Sequence, residues 1–191
     1  MNYNNELVRK LIHFGSALFP LAYYHVLSRD QMLWLLGGLS TLFFVGELMR
    51  LNVDPVKRIF QKIFGPIVRP SEEHRITGAT SIFISGFLTV IIFEKIVAVF
   101  AMLILSLADA TAALIGRKWG GRKIFDKTVE GTVTFFIISL VLALNLPGLP
   151  RIGAVAAAVI ATVIELFPSP IDDNLMVPLS AATTLSFFYL V

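Results

Sequence analysis

The sequence predicts an all-α, polytopic membrane protein, and its composition and hydropathy support this prediction. Of the 191 residues, 56% are hydrophobic and 15% are charged, whereas about 25% of the residues of a typical soluble domain are charged. The mean hydropathy is +0.79. Apolar runs recur along the whole chain and are too many to bury in one globular core. We expect one integral membrane domain, residues 1–191, because this length leaves no room for an appended soluble module.

Seven apolar segments are candidate membrane-spanning helices. Each has 16 to 20 residues, which is near the lower limit for a helix that crosses the hydrocarbon core of a bilayer. Residues typical of turns separate several of them, as at Pro147-Gly148 and Pro168-Ser169-Pro170. The predicted spans are residues 11–27, 32–49, 76–93, 96–115, 129–146, 152–167 and 175–191.

The distribution of lysine and arginine predicts the orientation of these spans. With the N-terminus inside, 13 of the 16 basic residues fall in inner segments, and only Arg29, Lys95 and Arg151 fall in outer ones. Cytoplasmic segments of membrane proteins carry such an excess of positive charge. We therefore expect an N-inside, C-outside, multi-pass protein, which lies in the plasma membrane if its source is prokaryotic.

Residues 54–69 predict a short amphipathic helix at the inner membrane interface. Val56, Ile59, Phe60, Ile63 and Phe64 recur at helical spacing, and basic residues occupy the rest of the turn. This segment is either a plain connector that anionic lipid holds at the surface or a gating element.

The acidic residues indicate where the chemistry takes place. Eleven of the 13 fall in predicted inner segments or near inner helix ends, and only Asp30 and Glu94 fall outside. Acidic residues contribute little to membrane topology, so the topology does not explain this bias. A polar site that faces the cytoplasm accounts for it.

Asp109 is the strongest single candidate for a functional residue. It lies inside the fourth predicted span, where a carboxylate is costly and is a functional candidate by default. Ala112, Ala113 and Gly116 follow on the same helical face, so a second backbone or a ligand can approach closely. The alternative is a structural aspartate that forms a hydrogen bond between helices.

A basic, glycine-rich segment, residues 116–131, follows Asp109 and is a candidate phosphate site. It delivers Lys127 and Thr128 to the start of the fifth span, where free N–H groups and the helix dipole favour phosphate. Glu130 would repel a bound phosphate unless a divalent cation bridged the two, which predicts Mg²⁺. The alternative is simple anchoring of positive charge at the inner membrane surface.

Polar residues near the two ends of the chain complete the candidate site. Arg9, Lys10 and His13 lie at the start of the first span and either contact phosphate or lipid or serve as an interfacial anchor. Asp172 or Asp173 either takes part in the chemistry or caps the last helix. The other polar residues of this second cluster are Glu165 and Asn174.

Several kinds of chemistry are excluded. The chain has no cysteine, so it has no disulfide, no thiolate nucleophile and no thiolate metal ligand. It also lacks a Walker A motif, a GxSxG motif and an HExxH motif.

Three motifs resemble those of membrane enzymes that use CTP. The motifs are Asp109-x-x-Ala112-x-x-x-Gly116-Arg117-x-x-Gly120 with Lys127-Thr128-x-Glu130-Gly131, then Arg9-Lys10-x-x-His13, and Asp172-Asp173-Asn174-Leu175-x-x-Pro178. The first resembles a signature that phosphatidate cytidylyltransferases share with the family of dolichol kinase, phytol kinase and CTP-dependent diacylglycerol kinase. The other two resemble motifs of the kinase branch alone.

The resemblance implies a CTP-dependent kinase that phosphorylates the hydroxyl of a membrane lipid alcohol at the cytoplasmic face. The acceptor is a polyprenol such as dolichol, a phytol-like alcohol or diacylglycerol. The alternative is a phosphatidate cytidylyltransferase that makes a CDP-lipid. The expected partners are CTP, the lipid alcohol and the bilayer, with no nucleic acid, and the expected cofactor is Mg²⁺.

The resemblance also implies roles for individual residues. The expected Mg²⁺ ligands are Asp109, Glu130 and Asp173, and the expected catalytic acids are Asp109, Glu165, Asp172 and Asp173, of which one of the last three takes the hydroxyl proton. The residues expected to bind CTP are Arg9, Lys10, His13, Gly116, Arg117, Gly120, Lys123, Lys127, Thr128, Gly131 and Asn174.

Overall fold

The computed structural model describes the backbone of residues 3–189 and, apart from residues 3, 4 and 71, their side chains. Helices make up most of this range, which confirms the predicted all-α class. The helices are α1 Tyr3–Gly15, α2 Leu18–His25, α3 Arg29–Asn52, α4 Asp54–Phe64, α5 Gly78–Ile92, α6 Lys95–Leu103, α7 Ala110–Trp119, α8 Val129–Asn145, α9 Arg151–Leu166 and α10 Asp173–Phe187.

All seven predicted spans coincide with helices, although residues 190–191 of the last one lie outside the described residues. The first span differs from its prediction because it consists of the end of α1 and the whole of α2. Pro20 has no N–H to donate to the carbonyl of Ser16, and the N–H of Phe19 binds that carbonyl instead. The α-helix is therefore interrupted at residues 16–17 rather than continuing as one helix.

Within residues 3–189, two helices are long and apolar enough to cross a membrane, namely Arg29–Asn52 and the continuous helix Lys95–Trp119. Helix α3 also exposes large apolar side chains, including Trp34 at 83% and Leu42 at 66% of their surface. A large exposed apolar surface indicates contact with a partner or a membrane. These features are typical of a membrane protein, while the count of seven spans and the orientation remain predictions.

The most extensive helix packing is between α9 and α10, and several of the buried residues in this contact are alanines. Ala157, Ala161 and Ala181 are fully buried in one cluster with Phe100 and Phe135. Small side chains let helix backbones approach closely, which is the usual way in which membrane helices associate.

Asp109 lies at the end of a π-helical segment, Ile104–Asp109, that joins α6 to α7 without a break. Such wide turns are rare and are frequent at functional sites. Because a π turn changes the angular position of the residues that follow it, this segment sets the direction in which Asp109 points.

The glycine-rich segment contains a small β-hairpin that the all-α prediction missed. Strands β1 (Lys123–Ile124) and β2 (Lys127–Thr128) pair antiparallel across the turn at Phe125 and Asp126. Phe125 has a φ of 53°, a conformation that costs a bulky residue energy. Its ring packs on Phe167 with a centroid distance of 5.3 Å, which fixes the hairpin against the end of α9.

Arg50 joins the end of α3 to the segment before α5. Its guanidinium donates to the carboxylate of Glu47 at 2.6 Å and to the backbone carbonyls of Glu72, Glu73 and Arg75. The side chains of Arg50 and Glu47 are only 4% and 5% exposed. The pair thereby holds the loop between α4 and α5 against the helix bundle.

Replacing Arg50 with methionine is expected to destabilise the protein by about 3–5 kcal/mol, because Glu47 would remain as an uncompensated buried charge. Thermal unfolding of the purified protein in detergent measures this effect. Arg58→Met is the matched control, since Arg58 is exposed on α4 and such a change costs about 0.5 kcal/mol or less. Equal unfolding temperatures for the two variants would contradict the prediction.

Candidate active site

Lys10, His13 and Asp109 form a buried cluster between α1 and the π-helical segment. Lys10 Nζ donates to Asp109 Oδ2 at 2.5 Å, and His13 Nδ1 lies 3.1 Å from the same oxygen. The side chains of Lys10 and His13 are each 4% exposed. The buried carboxylate is thus compensated by a lysine from the first helix, which is the condition for keeping a charge at this depth.

Glu6 lies at the centre of three arginines from separate parts of the chain. Its carboxylate accepts from Arg9 Nη2 at 2.5 Å and lies 3.5 Å from Arg69 Nη2 and 3.7 Å from Arg117 Nη2. Burial acts to raise the pKa of Glu6, but the hydrogen bond and the positive charge of Arg9 outweigh it and lower the pKa. Glu6 therefore remains ionised at neutral pH.

Lys127 bridges two acids at the opposite side of the site. Its Nζ donates to Glu165 Oε1 at 2.8 Å and to Asp173 Oδ2 at 2.9 Å. Burial acts to lower the pKa of Lys127, but the two carboxylates outweigh it and raise the pKa above its usual value. Of these three side chains only that of Glu165 is buried, at 5% exposure, whereas Lys127 and Asp173 are 29% and 36% exposed.

Asp172 has the structural role that the sequence left open. It precedes α10 and accepts from the backbone N–H and the side-chain amide of Asn174, both at 2.9 Å. Its other oxygen accepts from Ser81 Oγ on α5. Asp172 is therefore the helix cap, and Asp173 is the acid of the pair that contacts another charged group.

The start of α8 has fewer free N–H groups than the sequence suggested. Thr128 caps the helix and accepts from the N–H of Gly131 at 3.1 Å. The N–H of Val129 binds the carbonyl of Arg122. Two of the donors expected for phosphate are thus already satisfied, so a phosphate at this place would have to be held mainly by side chains.

The glycines expected to bind CTP have a packing role in this structure. A Cβ on Gly116 would lie 2.5 Å from Thr128 Oγ1, and a Cβ on Gly120 would lie 2.1 Å from the carbonyl of Gly116. A Cβ on Gly131 would lie 3.1 Å from the carbonyl of Ala112. These positions are glycine because α7, the hairpin and α8 approach one another closely there.

Glu130 and Lys123 are not among the residues paired around Asp109 and Lys127. Glu130 Oε1 accepts from the N–H of Gly121 at 3.0 Å and so holds the glycine-rich segment, while Lys123 is exposed on β1. Within residues 3–189, Asp109, Glu130 and Asp173 do not form a group of metal-ligating side chains. Glu165 Oε2 and Glu130 Oε2 are buried carboxylate oxygens without a hydrogen-bond partner in the same range.

The structure brings all three sequence motifs to one end of the helix bundle, which we call the polar end. Lys10 contacts Asp109 across 99 positions of the chain, and Lys127 contacts Asp173 across 46. Arg117 contacts Glu6. The opposite end of the bundle is built differently, with Arg29 and Lys95 donating to backbone carbonyls of Ile91 and Leu27.

Sequence reasoning gave no specific role to two residues that belong to the polar end, namely Glu6 and Arg69. Glu6 had a detectable signal, because it precedes Arg9 by three positions on one helical face. Arg69 had none, since it finds its partner Glu6 through tertiary packing.

Similar proteins are found by sequence. An uncharacterised protein of Rickettsia prowazekii is 26% identical over 197 residues, which cover 98% of this chain and 96% of that protein. The CTP-dependent diacylglycerol kinase 1 of Schizosaccharomyces pombe is 26% identical over 204 residues, which cover 95% of this chain and 92% of that protein. The CTP-dependent diacylglycerol kinase 1 of Saccharomyces cerevisiae is 25% identical over 141 residues, which cover 72% of this chain and 49% of that protein.

No protein-family model matches the chain, and no solved structure matches it significantly. The relatives nevertheless confirm the resemblance to CTP-dependent lipid kinases that the motifs predicted, because two of them carry that activity in their names and align over most of the chain.

Proposed function

We infer that the chain phosphorylates the hydroxyl of diacylglycerol with CTP. The inference rests on the similar proteins, which support membership in the CTP-dependent lipid kinase family. Diacylglycerol is the acceptor in the names of the relatives, and it takes precedence over a polyprenol or a phytol-like alcohol for that reason. We place the reaction at the cytoplasmic face, because the excess of lysine and arginine lies at the polar end.

The observation that supports this proposal best is the convergence of the three motifs. Residues from the first helix, from the centre of the chain and from the last helix contact one another through Lys10–Asp109 and Lys127–Asp173. Phosphoryl transfer requires mainly positioning of the reactants and stabilisation of charge. A polar end that combines lysines, arginines and buried acids supplies both.

In the proposed reaction, the hydroxyl oxygen of the lipid attacks the γ-phosphorus of CTP. The bond between this phosphorus and the bridging oxygen to the β-phosphate breaks, and CDP leaves. Glu165 is our candidate for the group that takes the hydroxyl proton. Its Oε1 binds Lys127 and its Oε2 has no partner among the described residues, whereas both oxygens of Asp172 accept hydrogen bonds.

The residues fit a magnesium ion that is shared with the nucleotide rather than enclosed by the protein. Mg²⁺ is usually held by one or two carboxylates and by phosphate oxygens. Asp109 and Asp173 would hold it, and Glu130, which anchors Gly121, would not. When bound, Mg²⁺ neutralises charge on the phosphates. Lys127 is held between Glu165 and Asp173. Its ammonium group would neutralise the negative charge that develops on the phosphates during transfer.

The proposal is tested with purified protein in detergent, Mg²⁺, diacylglycerol and CTP labelled separately at the γ- and α-phosphates. We expect the γ-label to appear in the lipid phase and the α-label to remain in the aqueous phase. Transfer of the α-label would show cytidylyl transfer and overturn the kinase assignment. Parallel reactions with a polyprenol and with phytol test the choice of acceptor. A higher rate with either alcohol would identify it, rather than diacylglycerol, as the acceptor.

A further inference from the structure

The cluster of Glu6, Arg9, Arg69 and Arg117 has a strong excess of positive charge. Three guanidinium groups surround one carboxylate. Among the residues that the structure describes, these arginines form ion pairs with no acid other than Glu6. The neighbouring Glu72 accepts the backbone N–H groups of Arg69 and Gly78 instead. A single carboxylate does not neutralise three guanidiniums, so the cluster is suited to a further anion.

The burial of the cluster shows which of its groups are accessible. The side chain of Glu6 is 2% exposed and that of Arg9 is 15% exposed, whereas Arg69 and Arg117 are 48% and 42% exposed. The carboxylate therefore lies beneath the arginines. The distances of 3.5 and 3.7 Å from Arg69 and Arg117 to Glu6 are too long for strong hydrogen bonds. Both guanidiniums thus retain free N–H groups that face solvent.

The position of the cluster connects it to the proposed reaction. Arg9 is next in sequence to Lys10, which binds Asp109. Arg117 lies in the glycine-rich segment. Gly78 at the start of α5 lies near Arg9 and the Asn174 amide, where a Cβ would meet them at 3.9 and 3.0 Å. Since the start of α8 has already used two of its N–H groups, the triphosphate needs donors of this kind.

We propose that Arg69 binds the polyphosphate of the nucleotide together with Arg9 and Arg117, and that Glu6 is the positioning residue that gathers the three guanidiniums. Arginine is suited to this role because its planar group donates two parallel hydrogen bonds to phosphate. The inference rests on the proposed function for the identity of the nucleotide. The recognition of polyphosphate is a separate property and can be tested alone.

The first test measures binding of inorganic tripolyphosphate, CTP and CMP to the purified full chain by calorimetry. Arg69→Gln is expected to weaken binding of tripolyphosphate and of CTP about tenfold, the effect of losing roughly one charge-assisted hydrogen bond. Binding of CMP is expected to change less than about twofold, because it lacks the β- and γ-phosphates. Arg58→Gln, an exposed arginine on α4, is the matched control and should leave all three unchanged.

The second test addresses Glu6. Glu6→Gln keeps the shape of the side chain but removes the charge that gathers the arginines, so it is expected to raise the KM for CTP about tenfold with kcat changed less than about threefold. A purely structural ion pair would not produce this separation. Glu6→Asp, which keeps the carboxylate, is expected to recover part of the affinity.

Three results would overturn the proposal. The first is an Arg69→Gln variant that binds tripolyphosphate as tightly as Arg58→Gln does. The second is an equal loss of affinity for CMP and tripolyphosphate, which would indicate a general structural defect. The third is weaker binding of vesicles that contain a lipid phosphomonoester while tripolyphosphate binding is unchanged, which would assign the arginines to the lipid. If Arg69→Gln fails to fold, Arg69→Lys is compared with Arg58→Gln in its place. Lysine keeps the positive charge but cannot donate two parallel hydrogen bonds to phosphate, so weaker binding of tripolyphosphate is still expected.

Failure of this proposal differs from failure of the proposed function. A protein that binds tripolyphosphate through Arg69 but transfers no γ-label from CTP would support the polyphosphate site and refute the kinase assignment. Transfer of the γ-label by an Arg69→Gln variant with normal affinity for CTP would support the kinase assignment and refute the polyphosphate site.

Discussion

The Asp109→Ala variant is expected to lose at least about a hundredfold in the rate of phosphoryl transfer, because removing a single preorganised electrostatic group from an active site typically costs about a hundredfold to a thousandfold. It is also expected to be about 3–5 kcal/mol less stable, because Lys10 would then be a buried charge without its partner. Transfer of the γ-label and thermal unfolding in detergent measure the two effects. Asp30→Ala, an exposed acid at the opposite end of the bundle, is the control for both.

A double variant separates the two roles of Asp109. Combining Lys10→Met with Asp109→Leu removes both charges of the pair, and replacing a buried ion pair with apolar residues is often neutral or stabilising. We expect this variant to unfold near the wild-type temperature and to remain inactive. Activity in the double variant, or full activity in Asp109→Ala, would refute a role of Asp109 in the reaction.

The Gly120→Ala variant is expected to lose about 2–4 kcal/mol of stability, through strain and displacement of the backbone. Its Cβ would lie 2.1 Å from the carbonyl of Gly116 and 2.6 Å from Thr128 Cγ2. The contact with the Gly116 carbonyl strains the end of α7, because a backbone atom cannot move aside as a flexible side chain can. The contact with Thr128 on β2 pushes the hairpin away from α7. The same movement displaces Lys127, and we expect activity to fall with stability.

Gly38→Ala in α3 is the matched control for Gly120→Ala. An added Cβ at Gly38 meets no atom within 4 Å, and alanine favours a helix over glycine by about 0.5–1 kcal/mol. Gly38→Ala is therefore expected to leave activity unchanged and to raise the unfolding temperature slightly. A Gly120→Ala protein that unfolds at the wild-type temperature would contradict the packing role that we assign to this glycine.

The helical class and the positions of the helices could be predicted from the sequence because apolar runs act locally. All seven predicted spans coincide with helices, and residues 54–69 contain the amphipathic helix α4. Two features were missed. The break at residues 16–17 depends on the missing N–H of Pro20, and the hairpin at Lys123–Thr128 is too short to produce an alternating pattern.

The site residues that the motifs indicate remain predictions, and the structure shows which of them contact one another. The motifs identified Asp109, Lys127 and Asp173, which the structure joins to lysine or carboxylate partners. The glycines and Glu130 were assigned to CTP and Mg²⁺, whereas in the structure they pack against α8 or anchor the glycine-rich segment. A motif records that glycine is present at a position, but a backbone contact and a phosphate both require the absence of a side chain.

The sequence by itself determined that this is a helical protein with the composition of a membrane protein and with the motifs of a CTP-dependent lipid kinase. These properties depend on hydropathy and on spacing along the chain. Only the tertiary structure decided that Lys10 is the partner of Asp109, that Lys127 bridges Glu165 and Asp173, and that Arg69 reaches Glu6. The physical reason is that a buried charge needs an opposite charge within a few ångströms, and the packing of distant helices determines which residue meets that need.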